Sequence, residues 1–377
     1  MKHVSPSEAA RTVQLASERL GSALATLERL NEAQTRVGSA LSALEREAQT
    51  RVGRKLGLGP AFSALRGERL RQAQKKAERK LRLGAALSAF TGLAALGRGK
   101  LRAGARRREA QTSAARKLHL GAGVLALAVL ADSAVEHYRG SFQNKAMFAP
   151  LVSATLSLFA GSAGALGLRA PAVLDGVYRV AEATGIVGLG FHAYNILKRP
   201  SGLSWLNLFY AAPVGAPFAL TLAGFFGRCA VRVGRAGGRL ATLFGVPAGR
   251  LLTAATAAGI AGTVGEAGLL HFRGAYHSPA MYLPVSIPPV TAGLLGATAV
   301  APKSVPRAPV RAALWATAAL GVAGVGFHIY GVSRNMGGWR NWSQNVLDGP
   351  PIPAPPSFLG LAVIGIAALA LMDRNDA

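Results

Sequence analysis

Residues 132–150 read DSAVEHYRGSFQNKAMFAP, and residues 266–284 read EAGLLHFRGAYHSPAMYLP. Both stretches give an acidic residue, then His-aromatic-Arg-Gly, a second aromatic residue, Ala-Met-aromatic and Pro. One motif therefore occurs twice in the chain with the same internal spacing. Self-similarity of this kind indicates that the chain is built from two related halves.

A second motif recurs in the same order further along the chain. Residues 185–194 read GIVGLGFHAY, and residues 321–330 read GVAGVGFHIY. Two shorter matches follow, Trp205 and Asn207 with Trp339 and Asn341, and Pro213 and Pro217 with Pro351 and Pro355. Matched blocks in one order at a nearly constant spacing predict a tandem duplication.

The composition is that of a membrane protein. Half of the 377 residues are hydrophobic, and only 16% are charged. Eight apolar runs follow one another, and most are long enough for a hydrocarbon core about 30 Å thick. They lie near 118–136, 147–168, 180–197, 207–227, 251–271, 280–300, 311–332 and 357–372. Because unpaired backbone groups are costly in lipid, the sequence predicts an all-α, polytopic membrane protein with eight transmembrane helices.

The predicted domain boundaries follow from composition and from the repeat. Residues 1–117 contain 25 basic and 9 acidic residues, and they are expected to form a basic, amphipathic, partly disordered cytoplasmic region. Residues 118–230 are predicted to be the first membrane repeat of four spans, and residues 251–372 the second. The apolar run at 83–97 is short for a span, so we expect it to lie in the membrane interface, with a ninth span as the alternative.

The distribution of charge predicts the orientation. Of the net charge of +26, most lies in the N-terminal region and in the loops at 228–250 and 303–311. If eight spans alternate, these segments share one side of the membrane, which the positive-inside rule makes cytoplasmic. We therefore expect a protein of the cytoplasmic (inner) membrane with both termini inside and residues 138–146 and 272–279 outside.

The same charge distribution predicts the partners of the basic region. Clustered cations beside membrane spans are attracted to the anionic lipids of the cytoplasmic leaflet. Aromatic residues do not alternate with these cations, and this argues against nucleic acid as a partner. The lipid bilayer and its anionic headgroups are thus the expected partners of this region.

Four histidines recur in register, and the predicted topology places all of them at the outer ends of spans. They are His137 and His192 in the first repeat, and His271 and His328 in the second. Imidazoles that face each other at one depth are what a bis-histidine haem requires in a helix bundle. The four histidines are therefore candidate ligands for haem b or for a metal ion.

Other repeated residues would complete such a site. Gly190 and Gly326 stand two positions before a histidine, where a strip of small residues admits either a flat ligand or a neighbouring helix. Arg139 and Arg273 lie outside the predicted core, where a guanidinium would clamp a carboxylate such as a haem propionate.

Two acidic residues lie within the predicted spans. Asp132 and Glu266 precede the first repeated histidine of each half by five positions. Ionisable groups inside a membrane are costly to bury, and they therefore count as functional candidates. Five residues turn a helix by about 140°, so each acid is expected to face a neighbouring helix rather than its own histidine.

The same features also have structural interpretations. The His-aromatic-Arg-Gly block would serve as a stop signal, with the glycine in a left-handed cap, the cations at the negative end of the helix dipole and the aromatic residues in the interface. A histidine inside a span would form a hydrogen bond with a neighbouring helix. Both interpretations remain open at this point.

Three functions are compatible with the sequence. The first is an electron-transfer subunit that passes electrons between quinol and an extracytoplasmic redox partner. The second is a non-catalytic anchor or scaffold that holds a structural partner. The third is a transporter or metal-handling protein, in which Met147 or Met281 would add a soft ligand. Nucleotide-binding, nucleophile-elbow and zinc-protease motifs are absent from the sequence, so no catalytic residue is assigned and enzymatic activity stays open.

Overall fold

The computed structural model describes the backbone of residues 60–168 and 170–373, together with positions 36, 39, 43 and 47. The chain divides into two compact units, residues 1–96 and residues 97–377. The described residues form ten α-helices and one short β-ladder, which confirms the all-α prediction. The part of the predicted basic region before Pro60 lies outside the described residues, apart from those four positions.

The α-helices are α1 (Pro60–Arg139), α2 (Ala149–Leu166), α3 (Pro171–Leu197), α4 (Trp205–Tyr210), α5 (Gly215–Arg235), α6 (Ala248–Arg273), α7 (Ile287–Val300), α8 (Arg307–Arg334), α9 (Trp342–Asp348) and α10 (Pro356–Met372). Three 3-10 helices accompany them, Lys145–Phe148, Pro279–Val285 and Gly338–Asn341. Strands β1 (Thr242–Leu243) and β2 (Val246–Pro247) pair antiparallel between α5 and α6. Phe244 and Gly245 join these strands with positive φ angles, as a two-residue hairpin turn of the primed type requires.

The first unit contains the N-terminal part of α1. The side chains described there are exposed at Gln72, Lys75, Lys76, Arg79 and Lys80. Their spacing of three and four residues places them on one face of the helix. The amphipathic character of residues 1–117 stays a prediction.

The second unit contains helices that match a membrane. Five described helical segments are long and apolar enough to cross one, and α10 is apolar but shorter. The five are Gly104–Arg139, Lys145–Leu166, Gly215–Arg235, Pro279–Val300 and Arg307–Arg334. Helices α3 and α6 occupy the other two predicted runs but are not among those five. A multi-pass membrane protein is thus compatible with the structure, while a total of eight spans stays a prediction.

The buried core of the second unit is formed mainly by four helices, α1, α5, α6 and α10. Leu118 and Leu125 of α1, Phe226 of α5, Leu252 of α6 and Leu361 of α10 are fully or almost fully inaccessible to solvent. Helix α3 packs against α2 and α5, and α8 packs in the same way against α7 and α10. Helix α3 therefore has neighbours in the first half that correspond to those of α8 in the second.

Glycines allow α1 to approach two other helices closely. A Cβ atom on Gly161 of α2 would lie 2.6 Å from the Cα atom of Gly123, and one on Gly121 would lie 2.5 Å from the side chain of Ile364 in α10. Contacts this short are possible only without side chains, and such contacts are how membrane helices pack. The membrane part of α1 is thereby fixed between α2 and α10.

Candidate functional site

The first repeated motif folds into a loop that closes back on the end of α1. Helix α1 ends at Arg139, and the chain turns through Ser141 and Phe142 with φ angles of 58° and 46°. His137 donates a hydrogen bond from Nδ1 to the carbonyl oxygen of Met147, at 2.7 Å. Because a carbonyl oxygen only accepts, Nδ1 must carry the hydrogen. We call residues 137–148 the first clasp.

The second motif folds in the same way at the end of α6. Helix α6 ends at Arg273, and the chain turns through Ala275 and Tyr276 with φ angles of 56° and 45°. His271 donates from Nδ1 to the carbonyl oxygen of Met281, at 2.8 Å. We call residues 271–282 the second clasp. The two clasps thus share backbone conformation and a histidine hydrogen bond across ten residues.

Stacked aromatic rings close both clasps. Phe142 stacks on Phe148 with ring centroids 4.4 Å apart, and Tyr276 stacks on Tyr282 with centroids 4.6 Å apart. In each clasp the histidine ring meets the first of these rings edge-on, at 6.2 Å. Aromatic pairs in these geometries contribute about 0.5–1.5 kcal/mol beyond their buried area. Two of the three aromatic positions of the motif are therefore explained by contacts within the clasp.

The glycine of the motif has a different role from the one predicted. The sequence suggested a left-handed helix cap at Gly140 and Gly274, and this prediction is wrong: neither has a positive φ, and the two residues that follow take the left-handed angles. A Cβ on Gly140 would lie 3.3 Å from Cε of Met147, and one on Gly274 would lie 3.0 Å from Cε of Met281. The glycine therefore leaves room for the methionine methyl group of the same motif.

The second pair of histidines fixes the approach to the following helix. His192 of α3 donates from Nδ1 to the carbonyl oxygen of Pro213, and His328 of α8 donates from Nδ1 to that of Pro351, the latter at 2.6 Å. These prolines precede α5 and α10. Each histidine therefore ties one helix to the segment that leads into the next long helix.

Part of the glycine strip beside these histidines is filled by protein. A Cβ on Gly188 would lie 3.1 Å from Cβ of Pro217, and one on Gly324 would lie 2.7 Å from Cβ of Pro355. Pro217 lies in the first turn of α5, and Pro355 is the residue before α10. At this level the strip receives a neighbouring helix, which is one of the two uses that the sequence suggested.

Two glycines nearer the histidines are open. Nothing lies within 4 Å of a Cβ built on Gly190 or on Gly326. The following residue, Phe191 or Phe327, is exposed in each half. These glycines therefore make no close helix contact, and their predicted role in a ligand site stays a prediction.

The two repeated arginines make different contacts. Arg139 forms an ion pair of 2.7 Å with Glu136, one turn earlier on its own helix. Arg273 donates to the carbonyl oxygen of Phe209 at 2.9 Å, and its guanidinium lies 5.4 Å from the ring centroid of Tyr210. Arg273 thus connects the end of α6 to α4, whereas Arg139 stays within α1.

The acidic residues also differ between the halves. Glu266 accepts a hydrogen bond of 2.9 Å from the backbone N–H of Gly215, the first residue of α5, where a carboxylate complements the positive end of the helix dipole. A Cβ on Gly215 would overlap this carboxylate. The matching position in the second half is Pro353, which has no N–H. No hydrogen bond reaches the carboxyl group of Asp132 among the described residues.

Comparison of the two repeats in the sequence missed one matched pair of asparagines. It paired Asn207 with Asn341, but in the structure Asn345 makes the contacts that correspond to those of Asn207. The signal was present, because Asn207 and Asn345 each stand six residues before the matched proline. Each side chain donates to two carbonyl oxygens of the preceding loop: Pro200 at 2.9 Å and Gly202 at 2.7 Å for Asn207, and Met336 at 3.2 Å and Gly338 at 2.8 Å for Asn345.

A buried polar pair was also missed. Nδ1 of His119 in α1 lies 2.8 Å from the hydroxyl oxygen of Tyr178 in α3, and both side chains are buried. The second half has Thr253 and Leu314 at the matching positions. Because the pair occurs only once, comparison of the repeats gave no signal for it.

The structure brings two of the candidate histidines together. The rings of His271 and His328 have centroids 6.4 Å apart and an interplanar angle of 61°. Within the described residues, no group of three His, Cys, Asp or Glu side chains is arranged to hold a metal ion. Ligand roles for His137, His192, His271 and His328 therefore stay predictions.

Comparisons of the chain with protein-family models, with curated proteins and with solved structures found no match. The function must therefore be argued from the contacts of these residues.

Proposed function

We propose that the chain is a multi-pass protein of the cytoplasmic membrane that arose by tandem duplication of a four-span unit. The halves are residues 118–230 and 251–372. The matched clasps, the matched histidine–proline hydrogen bonds and the matched asparagines support this proposal. Each contact needs a specific side chain at a matched position, so duplication explains the whole set with one event.

The orientation in this proposal places both clasps outside and both termini in the cytoplasm. The basic residues at 228–250 and 303–311 lie at the helix ends opposite the clasps, as the positive-inside rule requires. Cysteines introduced as S141C and A275C, in a chain with Cys229 replaced by serine, are expected to react with a membrane-impermeant maleimide in intact cells. The control S304C is expected to react only after lysis. Labelling of S304C but not of the clasp cysteines would reverse the orientation.

The function we infer is that of a non-catalytic anchor or scaffold for a partner on the outer side. One observation carries this inference: all four repeated histidines use Nδ1 to fix a connecting segment at the same ends of the helices. The motifs thus maintain the shape of one surface. Exposed Tyr138 and Phe272 stand on this surface beside Arg139 and Arg273, and aromatic and arginine side chains are enriched in protein interfaces.

Site-specific photo-crosslinking tests the anchor function. A photoreactive phenylalanine at Tyr138 or Phe272 is expected to give one discrete protein adduct in native membranes. The matched controls are Phe159 and Val187, which are exposed in the middle of α2 and near the middle of α3, and they are expected to react with lipid. If all four positions give only lipid adducts, the anchor function is wrong.

Electron transfer through haem b is the second candidate. The observation behind it is the separation of 6.4 Å between the rings of His271 and His328, which equals that of two axial imidazoles when both Nε2 atoms point at one iron. The packing of Gly324 against Pro355 removes part of the flat wall that a macrocycle needs. The test is the reduced-minus-oxidised absorption spectrum of protein from a haem-competent host. A haem band that His328→Ala diminishes supports this candidate, and a colourless, folded protein rejects it.

A further inference from the structure

Two imidazoles of the second half lie side by side, and each has one nitrogen that is available. His271 ends α6 and His328 lies near the end of α8, and their ring centroids are 6.4 Å apart. Among the described residues, neither Nε2 atom has a hydrogen-bond partner. Both histidines are only partly buried.

The hydrogen bonds of these rings fix their tautomers. Nδ1 of His271 donates to the carbonyl oxygen of Met281 at 2.8 Å, and Nδ1 of His328 donates to that of Pro351 at 2.6 Å. In a neutral ring the Nε2 atom then carries the free lone pair. A histidine that donates one N–H to a main-chain carbonyl and offers the other nitrogen has the arrangement that metal ligands use.

The ring separation selects a coordination geometry. With a metal–nitrogen distance of about 2.0 Å and about 1.1 Å from nitrogen to ring centre, imidazoles on opposite sides of an ion have centroids about 6.3 Å apart, whereas a tetrahedral angle gives about 5 Å. The observed 6.4 Å is the separation that the linear arrangement needs when both Nε2 atoms point at the ion. A tetrahedral zinc site would need the rings to move together.

The number of ligands selects the ion. No third His, Cys, Asp or Glu joins the pair within the described part of the chain, so the ligand sets of zinc, calcium and magnesium are incomplete. Monovalent copper is a soft ion that accepts two nitrogen donors on opposite sides, and imidazole suits copper. Haem would use the same two atoms, but Pro355 packs on Gly324 of α8, where the macrocycle would need a wall.

We propose that His271 and His328 bind one Cu(I) ion through their Nε2 atoms. This site goes beyond the anchor function and does not depend on it. Substitution by asparagine is informative, because the N–H of its side-chain amide lies nearly where the Nδ1–H of histidine lies. The asparagine side chain has no atom that corresponds to Nε2. The variant His271→Asn with His328→Asn therefore keeps the donors to Met281 and Pro351 while it removes both ligands.

The test measures Cu(I) binding to the purified full-length protein in detergent with ascorbate, by competition with a colorimetric Cu(I) chelator. Wild type is expected to bind copper with two-coordinate character in its X-ray absorption edge. The double asparagine variant is expected to bind it at least about 100-fold more weakly, with an unchanged gel-filtration profile. His277→Asn is the matched control, since His277 is an exposed histidine of the same clasp, and it is expected to bind as wild type does.

Four results would overturn the proposal. They are equal copper affinity in wild type and the double asparagine variant, loss of copper in His277→Asn, three or more ligands around the bound copper, and a haem band that depends on His271 and His328.

Discussion

At the scale of single residues, the repeated motifs preserve contacts between a side chain and the main chain. The histidine at 271 and the carbonyl oxygen of Met281 are joined by a hydrogen bond, and the glycine at 274 leaves space for the methyl group of that methionine. The motif His-x-Arg-Gly followed by Ala-Met therefore describes one small folded loop. Its recurrence does not by itself require a ligand.

His271→Leu is expected to lower the free energy of unfolding by about 1–3 kcal/mol, because the carbonyl oxygen of Met281 loses its donor in a partly buried place. His271→Asn is expected to lower the free energy of unfolding by less, since its side-chain amide restores the donor. Thermal unfolding in detergent, followed by intrinsic fluorescence, measures both. Equal losses in the two variants would contradict a hydrogen-bonding role for this histidine.

At the scale of helices, glycines decide which face of α8 meets α10. Gly324 is in contact with Pro355, and Gly321 would place a Cβ 2.7 Å from the backbone nitrogen of Leu359. Gly326 is only two residues from Gly324 but points to open space. The strip that looked uniform in sequence thus has one packed side and one open side.

Gly324→Leu is expected to separate α8 from α10, because the new side chain would overlap Pro355. Gly326→Leu is expected to fold normally, since no atom lies within 4 Å of its Cβ position. Overpacking of a close contact costs about 1–3 kcal/mol. Gel filtration and thermal unfolding compare the two variants. If Gly326→Leu is the more damaging one, an unseen ligand or partner occupies the open side.

At the scale of the second unit, the core joins the first long helix to the last. Gly121 of α1 packs against Ile364 of α10. The buried side-chain amide of Gln111, also in α1, accepts a hydrogen bond from the N–H of Gly238 at 2.9 Å and donates one to the carbonyl oxygen of Arg239. Ala114 and Ala115 are buried in the same core. Residues before Leu118 therefore contribute to the packing of this unit.

A chain that begins at residue 97 is expected to be as stable as the full-length protein, because it keeps the whole second unit. A chain that begins at Leu118 is expected to have a free energy of unfolding lower by about 2–4 kcal/mol, since it lacks two buried alanines and two hydrogen bonds. Insertion, gel filtration and thermal unfolding measure the difference. Equal stability of both chains would support the predicted domain boundary after residue 117.

The sequence predicted well where one half could be checked against the other. It located the two long motifs and all four repeated histidines, because the same letters recur at a nearly constant spacing. It erred where the spacing changed, as in the match of Asn207 with Asn341 instead of Asn345. It gave no signal for His119 with Tyr178, and it named Glu266 without its partner Gly215, since these contacts occur in one half only.

The sequence by itself determined that this chain is helical and apolar enough for a membrane, because hydropathy and helical periodicity are local properties of the chain. It also determined which residues recur. Only the tertiary structure decided what those residues contact: that Nδ1 of each histidine meets a main-chain carbonyl, and that His271 and His328 lie side by side. Such contacts join residues from 10 to 57 positions apart, and the distance between them is set by the packing of whole helices.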